Sequence, residues 1–132
     1  MITGENKKQI NLLERYIELR KIYPNISFNF SDSVSFLHRT SSRYPDRRFV
    51  FLLDAHSLKH VPIIGELEKI QTVSKRNDHV LIIDDTAEIK DRTRKWPMKK
   101  EFESAVLAIN AKYKIEYTPY GNGIVIAYEE MI

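Results

Sequence analysis

Two apolar runs in this chain break off at aspartate. FVFLL, residues 49–53, stops at Asp54, and VLII, residues 80–83, stops at the pair Asp84 and Asp85. A continuous apolar run of about five residues fits a strand covered on both faces, because successive side chains point to opposite sides of a sheet. Between the runs, Ile63, Ile64, Leu67 and Ile70 recur at the three- and four-residue spacing of one helix face, and Pro62 stands where a first helical turn tolerates proline. A strand, a helix and a second strand in that order point to parallel pairing through a crossover, so an α/β sheet is expected.

The flanking segments extend this pattern. From Glu5 to Tyr23, Ile10, Leu13 and Ile17 mark a helix that Pro24 closes. NISFNF, residues 25–30, is β-favouring. Ser31, Asp32 and Ser33 then offer N-caps to a helix carrying Val34, Phe36 and Leu37. Phe102, Ala105, Val106 and Ile109 share the face of a further helix, and KYKIEYTPY and IVIAY flank Gly121, Asn122 and Gly123 as an antiparallel hairpin. The expected architecture is one α/β domain over residues 1–132, with parallel strands closed by a C-terminal hairpin.

Composition narrows the chemistry. With 132 residues, 42% hydrophobic and 11% aromatic, the chain suffices for one sizeable core. The absence of cysteine excludes disulfides, thiolate metal sites and a cysteine nucleophile, and points to a cytoplasmic location. No apolar run approaches the roughly 20 residues of a membrane-spanning helix, so no membrane partner is expected. The net charge of +3 admits anionic partners without the dense basic footprint of a dedicated nucleic-acid binder.

In an open parallel sheet, ligands bind beyond the carboxyl ends of the strands. If the two acid-ended strands are neighbours, Asp54, Asp84 and Asp85 share one rim, and a hard divalent cation, Mg²⁺ first, relieves the repulsion among three carboxylates. His56, two residues beyond Asp54, is then placed to act as a general base. The alternative for each aspartate is a helix cap or turn; for His56 it is a loop residue bonded to Asp54.

The stretches FLLDAHSLKHVPIIGELEKI, HVLIIDDT and YKIEYTPYGNGIVIAY together resemble the second half of a class I S-adenosylmethionine-dependent methyltransferase of the metal-dependent O-methyltransferase or cephalosporin-hydroxylase-like type. The resemblance implies a Rossmann-like sheet truncated at its N-terminus, with Mg²⁺ at Asp54, Asp84 and Asp85 and His56 beside a hydroxyl acceptor, sugar-like in some relatives. It implies that Asp32 and Ser33 lie near the adenine of S-adenosylmethionine, and that Glu5 is the remnant of the acid that binds the ribose. The chain departs from the pattern in having no glycine-rich cofactor loop: its glycines are Gly4, Gly65, Gly121 and Gly123. On this reading the chain starts near the end of the family's second strand, and its sheet is rearranged or completed by a second copy, giving a homo-oligomer.

Two other functions stay open. The chain could be an inactive methyltransferase-like binding or assembly module. It could also bind nucleic acid through HRTSSRYPDRR and KDRTRKWPMKK, the latter with Trp96 between cations.

Overall fold

The structure, a computed structural model, describes residues 4–55, 61–91 and 96–130. The chain divides into two compact units, with the boundary in the sequence between Ser31 and Asp32. In the first, helix α1 (Gly4–Ile22) is followed by an irregular segment. NISFNF forms no strand there. Its aromatic residues serve the helix instead: Phe28 stacks on Tyr16 with ring centroids 4.0 Å apart, and Phe30 lies 5.6 Å from the same ring. β-propensity reports a side chain suited to a half-buried surface, and a helix supplies that surface as well as a sheet does.

The second unit carries α2 (Ser33–Arg43), β1 (Val50–Leu53), α3 (Ile63–Val73), β2 (Val80–Asp84), a 3₁₀ turn at Thr86–Asp91, α4 (Lys99–Ile109), β3 (Lys114–Thr118) and β4 (Ile124–Tyr128). The fold is α/β, with a mixed, open four-stranded sheet in the order β1-β2-β4-β3. β1 and β2 are parallel, with Val50 opposite Val80 and Leu53 opposite Ile83. β4 runs antiparallel to both of its neighbours, Ile82 facing Ile126 on one side and Glu116 facing Ile126 on the other. The expected hairpin is therefore present, and its second strand docks against β2.

The helices assemble α2 against α3 and α3 against α4. The sheet presents them Phe51, Leu53, Leu81, Ile83, Val125 and Ala127, which join Leu67, Ile70, Phe102 and Val106 in one core. Each leucine or isoleucine so buried contributes about 1.5–3 kcal/mol relative to exposure.

The strands are not covered on both faces. In β1 the exposure alternates, with Val50 at 67% and Leu52 at 68%. In β2, Val80 and Ile82 are half-buried while Leu81 and Ile83 are fully enclosed. A continuous apolar run does not distinguish a strand sandwiched between layers from one whose second apolar face is bare, because both read as unbroken hydrophobicity.

A buried histidine ties the starts of the two parallel strands together. The Phe49 N–H donates to His79 Nδ1 at 3.0 Å, the Val80 N–H donates to the Phe49 carbonyl at 3.0 Å, and the Tyr113 hydroxyl donates to the His79 carbonyl at 2.5 Å. The strands thus leave a pinned origin in register, and their carboxyl ends come out side by side.

Candidate metal centre

Parallel register places Asp54, the residue after β1, next to Asp84, the last residue of β2, since Leu53 pairs with Ile83. Asp85 adopts a left-handed backbone with φ of 59°, a conformation that aspartate tolerates better than most residues. Its N–H donates to Asp84 Oδ1 at 2.8 Å. One carboxylate oxygen from each of Asp54, Asp84 and Asp85 lies within 4.8 Å of the others. Asp54 is exposed and the other two are half-buried, so the cluster opens to solvent over a closed floor.

That floor is a cavity of about 10 Å³, lined by the three aspartates together with Leu53, Ile83, Glu66 and Trp96. The volume matches roughly one water and excludes a substrate, so any larger ligand meets the cluster from outside. Oxygen-only donors of this kind suit a hard divalent cation such as Mg²⁺ and do not suit a soft metal.

Glu66 was not among the residues singled out by sequence. It sits in the first turn of α3 at 1% exposure, and its Oε1 has no hydrogen-bond partner among the described residues. Burial holds its carboxyl above the ordinary carboxylate range, opposed by a hydrogen bond from the Ser33 side chain. Its sequence signal was periodicity, since position 66 lies three after Ile63 and four before Ile70, on the face that enters the core.

The other expected site residues come from different elements. Ser33 starts α2 and shares with Asp54 and Glu66 a cleft of about 450 Å³ between α2 and β1. Asp32 caps α2, with Oδ1 accepting from the Ser35 N–H at 2.9 Å and Oδ2 from the Ser35 hydroxyl at 2.7 Å. These bonds pull its pKa below the usual value. Glu5 lies on α1, in the first unit. His56 lies outside the described residues.

The described residues of the two basic segments engage neighbours within the fold. Trp96 is only 8% exposed and belongs to the floor beneath the acids. Arg43 and Arg47 lie over the Tyr44 ring at 5.3 and 4.6 Å, and Arg48 and Arg76 both engage Asp78, whose pKa falls to about 2 chiefly through the Arg76 hydrogen bond.

No family model matches the chain, and no curated protein matches its sequence. Among the described residues no helix is long and apolar enough to cross a membrane.

Proposed function

We propose that the chain is a divalent-cation-binding relative of the metal-dependent O-methyltransferases, holding Mg²⁺ at Asp54, Asp84 and Asp85 and presenting it to a hydroxyl oxygen of a small, sugar-like ligand. The observation that carries this reading is the convergence of three carboxylates within 4.8 Å at the carboxyl ends of two adjacent parallel strands. A bound Mg²⁺ would act as a Lewis acid that acidifies a coordinated hydroxyl. The chain's own part is to hold the donors. The Asp85 N–H fixes the Asp84 carboxylate, and the left-handed turn at Asp85 brings a second carboxylate from the same strand end into the cluster.

S-adenosylmethionine does not fit the described residues. Its methionine moiety needs a close backbone approach through a glycine loop after a parallel strand. Gly65 lies inside α3, Gly121 and Gly123 make the hairpin turn, and Gly4 begins α1. We therefore derive no methyl-transfer step for these residues, and the reading extends to the Rossmann-like acceptor and metal half of such an enzyme. The runner-up, a binding or assembly module without catalysis, rests on the same observation.

Calorimetric titration separates the readings. The wild-type chain should bind one Mn²⁺ or Mg²⁺, and Asp84→Asn should weaken that binding at least about tenfold, roughly 1.4 kcal/mol, with an unchanged circular dichroism spectrum. Equal affinity in the variant would remove the metal proposal. A parallel titration with S-adenosylhomocysteine decides between enzyme and module: stoichiometric binding restores the methyltransferase, and no binding with or without Mg²⁺ leaves the module.

A further inference from the structure

The two outer strands of the sheet differ sharply. β3 is guarded: Lys114 pairs with Glu130, and the Tyr128 hydroxyl donates to Glu116 at 2.7 Å, so charge lies along that edge. β1, with the sequence VFLL, has no charge, proline or bulge, the usual devices that keep an edge from pairing. Its hydrogen-bonding groups alternate. Because Phe49 bonds toward β2 through its carbonyl, Phe51 and Leu53 do the same, and the N–H and C=O groups of Val50 and Leu52 point away from β2. The side chains of those same two residues are about two-thirds exposed.

The charges that flank this edge specify what it pairs with. Arg47 and Arg48 precede β1 and Asp54 follows it. Placed antiparallel about a two-fold axis at Phe51, so that Val50 of one copy pairs with Leu52 of the other, two copies set each Asp54 opposite the other copy's Arg48 and next to its Arg47, with the five uncharged residues 49–53 between. A parallel pairing would set like charges side by side. The strand is thus complementary to itself in one orientation only, the orientation an isologous dimer requires. The cleft of about 450 Å³ beside it, where Ser33, Phe36 and Leu37 of α2 face all of β1, leaves room for an added strand.

We propose that β1 is a homodimerisation edge, at which a second copy adds its own β1 antiparallel and makes one eight-stranded sheet in the order β3-β4-β2-β1-β1′-β2′-β4′-β3′. The interface sets the basic end of one copy beside the acidic rim of the other, so association weakens as salt rises.

Sedimentation equilibrium of the full chain at low and high ionic strength tests this. The wild type should form a dimer whose dissociation constant rises with salt. Leu52→Lys and, separately, Arg47→Glu should each raise it at least about tenfold. A chain that stays monomeric at every concentration at low salt overturns the proposal, as does a dimer indifferent to both substitutions. Amide exchange in the wild type supplies a reading independent of any variant's folding. The Val50 and Leu52 amides should be protected at high concentration and exchange rapidly on dilution. Rapid exchange of both at all concentrations would refute the strand pairing.

Discussion

His79 is the residue whose protonation state the geometry fixes most firmly. Its Nδ1 accepts from the Phe49 N–H, so that nitrogen carries no proton, and its Nε2 lies 2.7 Å from the Ser74 hydroxyl. Burial lowers its pKa from the ordinary 6.5. A histidine held neutral in the fold but free to protonate when unfolded contributes stability that is complete above pH 6.5 and is lost as pH falls toward its lowered folded value. Stability should therefore decline by up to about 1.4 kcal/mol per pH unit below 6.5 from this residue alone. Thermal melts between pH 5 and 7 should show that slope in the wild type and a flatter one in His79→Gln. Equal slopes would mean His79 does not titrate as described. At this scale the sequence was informative where chemistry follows position along a strand: Asp54, Asp84 and Asp85 each stand where an apolar run stops. It was informative also for Asp32, one of three N-caps the sequence offers to α2, whose two carboxylate oxygens both engage Ser35, and less so for Glu66, whose burial depends on how α3 meets the sheet.

Among the elements, the β3–β4 hairpin has the least freedom. Gly123 has φ of +86°, and a Cβ added there would stand 2.5 Å from the Ala87 nitrogen. Close approach is needed because the Thr86 N–H donates to the Gly123 carbonyl at 3.1 Å and the Ala87 N–H to the Asn122 carbonyl at 2.9 Å, which fastens the turn to the segment after the acidic pair. Gly123→Ala should cost about 2–4 kcal/mol through left-handed strain and backbone overlap together. Urea unfolding would measure this, and a loss under about 1 kcal/mol would show that the turn can yield. The hairpin was legible from its Gly-Asn-Gly turn and alternating flanks. NISFNF was not, because its aromatic residues satisfy a helix surface and a strand equally well, and local composition does not choose between them.

Over the whole molecule, the α/β class followed from strand, helix and strand in succession, which leaves parallel pairing as the short right-handed solution. The position of the hairpin in the sheet did not follow, because a sequence specifies which strands are joined by a turn but not which of the two docks on β2. The observed choice affects how the chain is made. β4 lies inside the sheet although it comes last among the strands, about 40 residues after β2. At synthesis rates of roughly 5–20 residues per second, the VLII edge of β2 waits about 2–8 s for its partner while the nascent chain lengthens. Residues 80–84 should gain protease resistance only when residues through Tyr128 have left the ribosome, and resistance in shorter arrested chains would contradict this. Until then the chain carries two apolar edges at once, and the one on β2 is closed by its own last strand.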